Sequence, residues 1–150
     1  MINAALYSNP LVDTLAIGSA LSTKCIAIVD DDDYLRDALD NLVRSAGYAV
    51  IQFASAEEFL RRECGLQVDL LLTDYFLGGI DGIELIRILR SSGDHTPVLV
   101  MSAHDGAVLR ARAMAAGGSG FLEKPFIADD LLELIESTLP TRPENLNGAK

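Results

Sequence analysis

At 150 residues the chain has the length of one domain, enough to bury roughly two thirds of its unfolded surface, with an ordinary globular composition of 49% hydrophobic and 23% charged residues. Twelve basic against 22 acidic residues leave a formal charge of −10, which repels nucleic acid and excludes direct DNA binding by this chain as an expectation. No Lys or Arg precedes Lys24, the apolar run Leu66–Leu72 is broken by Gln67 and Asp69, and Cys25 and Cys64 lie 39 positions apart without CxxC spacing; we therefore expect no signal peptide, no membrane span and two buried free thiols in a reducing cytoplasm.

Residues 1–23 carry Asn9-Pro10, Gly18-Ser19 and scattered apolar residues without a sustained period. They read as an N-terminal extension with one short helix around Leu11–Ile17. Cys25–Val29 is a β-rich apolar run. Tyr34–Ala46 then sets Leu35, Ala38, Leu39, Leu42 and Val43 on one helical face, with Asp32 or Asp33 as its cap and Gly47 as its stop. Ala49–Phe53 is a second strand, and Ser55-Ala-Glu-Glu58 has the form of a capping box opening a helix to about Cys64.

Asp69–Thr73 is an almost wholly apolar third strand. A helix from Gly82 closes near Ser91-Ser-Gly93, Asp81-Gly82 shaping its turn and cap. Pro97–Met101 is the fourth strand, Asp105–Ala116 the fourth helix, Gly120–Leu122 the fifth strand and Ile127–Leu139 the last helix, with Asp129 and Asp130 in its first turn. The segment 140–150, polar and with two prolines, reads as a tail or the start of a linker. The domain itself is 24–139.

Apolar strands alternating with helices imply a five-stranded parallel sheet covered on both faces, a doubly wound (βα)₅ α/β fold. Ligands in such sheets bind beyond the carboxyl ends of the strands, where the winding direction switches. At those ends stand Asp30-Asp31, Asp74, Ser102 and Lys124, drawn from 95 residues of chain to one edge. Clustered carboxylates repel unless a cation neutralises them, and hard oxygen ligands with open positions suit Mg²⁺. A carboxylate can attack phosphorus, while an ammonium such as Lys124 and a hydroxyl such as Ser102 stabilise the transferring oxygens.

Taken singly, each residue has a plainer reading. Asp30–Asp33 is a solvated acidic turn and helix cap, Asp74 a turn residue, Ser102 a cap, Lys124 a surface lysine, and Phe121 a core aromatic. Their conjunction decides for chemistry. A nucleotide-binding enzyme on a similar sheet would want GxGxxG or GxxxxGK[ST], and neither Gly78-Gly-Ile-Asp-Gly82 nor Gly117-Gly-Ser-Gly120 supplies one. An aspartyl-phosphate phosphatase would want DxD, where Asp74-Tyr-Phe76 stands. His95, before Pro97 in a loop, is solvated, and no His/Cys cluster suits zinc.

Val29-Asp30-Asp31, Leu72-Thr-Asp74, Ile80-Asp81-Gly82, Met101-Ser102-Ala103 and Glu123-Lys124-Pro125-Phe126 resemble, in register, the signature blocks of response-regulator receiver domains. The resemblance runs from about Lys24 to Leu139. Ser45-Ala-Gly-Tyr48 followed by Phe53-Ala-Ser-Ala-Glu-Glu-Phe59 is similar to receivers of nitrogen-fixation-type transcription regulators.

This resemblance implies a flavodoxin-like fold and a non-enzymatic module that accepts a phosphoryl group on Asp74 from a sensor histidine kinase or phosphotransfer protein. Asp31 and Asp74 would bind Mg²⁺ directly, Asp30 through water, with the backbone carbonyl of Phe76 as a further ligand. Lys124 would pair with the phosphoryl group, and Lys124-Pro125 would be cis. Ser102 and Phe121 would switch together and alter the surface of helix four, strand five and helix five, through which a homodimer is allowed. Phe76 and His104 occupy the positions that tune self-dephosphorylation. An apolar Phe76 cannot orient water, which implies a long-lived phosphoryl group. Gly78-Gly79 stands where the family usually has a proline turn, implying a looser loop. A pseudo-receiver that binds partners without phosphorylation is the alternative that this departure leaves. Nitrogen-fixation-type receivers usually precede a helix-turn-helix domain, which these 150 residues do not contain. Output would then pass through a domain outside this sequence or through protein contacts.

Overall fold

A computed structural model describes residues 23–103 and 106–140. The helix expected around Leu11–Ile17, the tuning position His104 and the tail beyond Pro140 lie outside them. Five strands and five helices alternate: β1 (Cys25–Val29), α1 (Asp33–Ser45), β2 (Ala49–Phe53), α2 (Ala56–Leu60), β3 (Leu70–Asp74), α3 (Gly82–Ser91), β4 (Val98–Ser102), α4 (Gly106–Ala115), β5 (Gly120–Glu123) and α5 (Ala128–Thr138). All strand pairs are parallel, in the order β2-β1-β3-β4-β5. The chain winds first to one side of β1 and then to the other, so the switch in direction falls between β1 and β3.

Strand alternation sorts the core into two layers. Ile26, Ile28, Leu70, Leu72, Leu99 and Met101 pack under Leu39 and Val43 of α1 and Leu131 and Ile135 of α5. Ala27, Val29, Leu71, Val98 and Val100 face Phe59 of α2, Leu85, Ile86 and Leu89 of α3, and Leu109 and Ala113 of α4. Every residue of β1 from Ile26 to Val29 and of β3 from Leu70 to Thr73 is fully enclosed. Val98 to Met101 of β4 are enclosed as fully. Each buried Leu, Ile or Val contributes about 1.5–3 kcal/mol, so the three central strands, whose ends carry Asp30, Asp74 and Ser102, are firmly held.

Three expectations are corrected. Ala38 is exposed and Asp40 takes a buried place, at 8% exposure. The reason is a polar contact: α1 is rolled so that Asp40 meets Gln52 on the edge strand β2, Gln52 Nε2 donating to its carboxylate at 2.6 Å, while Arg44 pairs with the same carboxylate and donates to Val50 O at 2.9 Å. Cys64 is exposed and Cys25 half-buried, so neither thiol belongs to the core. Finally, α2 stops at Leu60 instead of reaching Cys64. Beyond Leu60 the next residues, Arg61-Arg62-Glu63, have no apolar face to bury, and a helix this short persists only through packing.

Arg62, just past α2, instead crosses to the loop after α3. Its guanidinium lies 4.0 Å over the Phe59 ring and donates to Asp94 at 3.0 Å. Asp94 also accepts from the Thr96 amide at 2.9 Å and the Thr96 hydroxyl at 2.6 Å. Burial raises the Asp94 carboxyl, but the Thr96 bonds and Arg62 outweigh it and hold it below its ordinary value. Asp94→Ala is expected to lower stability by about 1–2 kcal/mol at neutral pH. Because the folded pKa is depressed, wild type loses this advantage as pH falls through the carboxylate range, and denaturation midpoints of the two proteins should converge there.

Candidate functional site

The residues expected at the strand ends do meet. Asp30 follows β1, Asp74 and Ser102 are the last residues of β3 and β4, and Lys124 follows β5. Their alignment continues the sheet ladder past its formal end, with Asp30 N donating to Phe53 O at 3.2 Å, Tyr75 N to Met101 O and Lys124 N to Ser102 O at 2.8 Å each. Together with Asp31, Asp32, Leu35, Phe76 and Ala103 they line an open cleft of about 260 Å³.

Within it, one carboxylate oxygen from each of Asp30, Asp31 and Asp74 lies within 4.8 Å of the others. Lys124 Nζ pairs with Asp74 Oδ1 at 2.8 Å, so the central carboxylate already has a cation beside it. The Lys124-Pro125 peptide is cis, as expected. Asp30 is 1% exposed. Its Oδ1 accepts from the Asp32 amide at 2.9 Å, whereas its Oδ2 is buried without a hydrogen-bond partner. Burial pushes the Asp30 carboxyl up to about 6; the Asp32 amide and Lys124 oppose the rise, and Asp74 and Asp31 add to it. A buried carboxylate oxygen with no donor, next to two further carboxylates, makes an all-oxygen set that suits a hard cation. Asp30, Asp31 and Asp74 could therefore hold a divalent cation through oxygen alone.

Ser102 is buried at the cleft wall. Phe121, 3% exposed, points into the core with the Arg110 guanidinium 5.2 Å from its ring centre. Phe76 is 70% exposed at the cleft mouth, where its ring stacks at 6.3 Å on Tyr75.

Two supports of the site escaped sequence reasoning. Gly82 does more than shape a turn: a Cβ there would stand 2.7 Å from Asp74 O, and its amide donates to Tyr75 O at 2.9 Å. Only glycine lets α3 start this close to the acidic strand end, while Asp81 caps that start by accepting from Glu84 N at 2.8 Å. The second support concerns the Gly78-Gly79 loop. Gly78 has φ +85°, a conformation suited to glycine. At Gly79 a Cβ would meet the Glu57 carboxylate at 2.7 Å, and that carboxylate accepts from Ile80 N at 3.2 Å. Bonds from its own amide and from Ile80 hold the Glu57 carboxyl below its usual range. The loop is thus tied to α2 where a looser turn was expected. The capping-box pattern did single out this segment, but its cap bonds go to Glu58, which accepts from Ala54 N and donates its own amide to Ser55.

A family model described as the response regulator receiver domain matches residues 26–136. The transcriptional regulatory protein FixJ of Bradyrhizobium diazoefficiens is 39% identical over 114 residues, covering 76% of this chain and 56% of the relative. FixJ of Azorhizobium caulinodans is 37% identical over 114 residues, covering 76% and 54%. Among solved structures, full-length FixJ from B. japonicum superposes with a TM-score of 0.73 at 38% identity, covering 78% of this chain and 58% of that one. FixJ-N gives a TM-score of 0.73 at 31% identity, covering 81% of this chain and 99% of that one. The chain spans about half the length of the curated FixJ relatives it matches. With its doubly wound sheet, its acidic strand ends and a family match over most of its length, the chain belongs to the response regulator receiver domain family, the phosphoryl-accepting modules of two-component signalling.

Proposed function

We propose that Asp74 is the phosphoryl acceptor, supplied by a phosphohistidine on a sensor histidine kinase or phosphotransfer protein. The observation that carries this reading is the pairing of Lys124 Nζ with Asp74 Oδ1 at 2.8 Å, next to the unpartnered Asp30 oxygen. An Asp74 carboxylate oxygen attacks phosphorus, the P–N bond breaks, and the imidazole leaves with the electron pair. Lys124 releases Asp74 and holds the charge gathering on the phosphoryl oxygens, and the Ser102 hydroxyl donates to one of them. Asp31 and Asp74 would hold Mg²⁺ directly, Asp30 through water, and the Phe76 carbonyl would complete the protein's share. Bound there, Mg²⁺ supplies neutralisation of the acidic cluster and of the incoming phosphate.

Ser102 moving toward the phosphoryl group leaves room for Phe121 to follow, and the surface of α4, β5 and α5 changes with them. A homodimer through that surface is the associated output. The receiver unit is 24–139, with 1–23 an extension and 140–150 a tail. It acts in the cytoplasm as a module without a separate substrate; none of the described helices is long and apolar enough to cross a membrane. By likeness to the FixJ regulators, the output is transcriptional in a longer protein.

Incubation with acetyl phosphate and Mg²⁺ is expected to add one phosphoryl group per chain, read by intact mass, and excess chelator is expected to prevent it. Decay of the same species tests Phe76: with no polar group at that position to orient water, the adduct should outlast seconds. A half-life of seconds would remove that role.

A further inference from the structure

The acidic loop that offers Asp30 and Asp31 is tied down by one side chain that the chemistry above does not use. Arg36, on the first turn of α1, has a side chain only 13% exposed, unlike a surface arginine. Its guanidinium donates in three directions: Nη1 to Asp30 O at 2.6 Å, Nη2 to Asp33 Oδ1 at 2.6 Å, and Nε to Gln52 Oε1 at 2.8 Å. Gln52 is in turn anchored by donating to Asp40 at 2.6 Å and Asp37 at 3.2 Å. The Asp30 carbonyl belongs to the planar peptide that also contains the Cα atoms of Asp30 and Asp31. Fixing that one oxygen therefore fixes the plane from which both carboxylates project. The remaining bonds of the loop hold other groups, Asp30 N on Phe53 O and Asp32 N on Asp30 Oδ1.

We propose that Arg36 is a positioning residue for the cation site, a brace running from β2 through Gln52 to the Asp30–Asp31 peptide. The inference rests on the reading of Asp30, Asp31 and Asp74 as cation ligands. Outer groups that orient ligands typically change metal affinity 10–100-fold when removed. The sign of the effect separates geometry from charge. A cation near the cluster repels Mg²⁺, so on Coulombic grounds alone Arg36→Gln would tighten binding. A brace makes it weaker. Lysine keeps the charge but lacks the planar fork that reaches carbonyl, amide and carboxylate together, so Arg36→Lys should weaken binding as well.

Mg²⁺ affinity of the full chain, measured by calorimetry, is expected to fall about tenfold in both R36Q and R36K. Arg44→Ala supplies the control, because Arg44 serves the same Asp40–Gln52 network without touching Asp30. It should leave Mg²⁺ affinity within about twofold while lowering thermal stability. Unchanged or tighter binding in R36Q, or wild-type affinity in R36K, would overturn the brace; if R36Q does not fold, R36K alone decides. Wild-type protein that binds Mg²⁺ but is never labelled by acetyl phosphate would overturn the functional reading, while the R36K affinity would still decide the brace.

Discussion

The Asp74→Asn variant is expected to take up no phosphoryl group from a small phosphodonor under conditions that label the wild type, a fall in rate of more than about a thousandfold. An amide is not a nucleophile toward phosphorus, and no neighbour is placed to replace it. Asp30 is enclosed, with one oxygen engaged by the Asp32 amide, and it is Asp74 that Lys124 meets. Labelling that persists in D74N and maps to Asp31 would move the acceptor to the cleft rim and overturn the assignment. The variant isolates chemistry from folding because its effects on stability oppose each other. It weakens the ion pair with Lys124, and it removes a negative charge that bears on buried Asp30. Thermal midpoints of D74N and wild type should therefore lie within a few degrees, about 1 kcal/mol either way.

The order of elements and the place of the site were legible in the sequence for a physical reason. Strands buried on both faces are apolar at nearly every position, so β1, β3 and β4 stand out as runs. A charged or polar residue directly after such a run can only lie at the sheet's edge. That logic places Asp30, Asp74 and Ser102, while Lys124 lies one residue past the shorter, half-exposed β5, and the family resemblance implies the roles of all four. What stayed hidden depends on contacts between distant segments. Nothing local tells Asp40 from an exposed helical aspartate, because its burial depends on Gln52 twelve residues away. The brace of Arg36 crosses 16 positions to β2, and the Glu57 tie crosses 23 to Ile80. Gly82 looked like a turn residue, since its closeness to Asp74 O exists only once α3 is docked. The sequence located the groups that act but missed those that hold them.

Asp30→Asn is expected to invert the order of stability between metal-free and metal-loaded protein. In wild type the Asp30 carboxyl is raised to about 6 from an ordinary 3.8, chiefly by burial. An acid whose folded pKa lies above its unfolded value favours folding when protonated. That favour is complete below the unfolded pKa, declines as pH rises from about 4 to about 6, and is gone above. At pH 8 without metal the buried charge therefore opposes folding by about 3 kcal/mol. Asparagine carries no charge and can donate to the neighbouring carboxylates, so D30N in chelator should be the more stable protein at pH 8, by about 1–3 kcal/mol, with the gap closing toward pH 4. Saturating Mg²⁺ reverses this. A cation at a thousand times its dissociation constant adds about 4.1 kcal/mol to a protein that binds it only when folded, more than the advantage of the variant in chelator, and the variant, short of one carboxylate, should gain little. Denaturant midpoints in chelator and in Mg²⁺ measure both halves of the effect. A D30N protein less stable than wild type in chelator would mean that Asp30 serves the fold; the expected inversion would mean that the fold tolerates an unfavourable buried charge at the position where a cation is to be held.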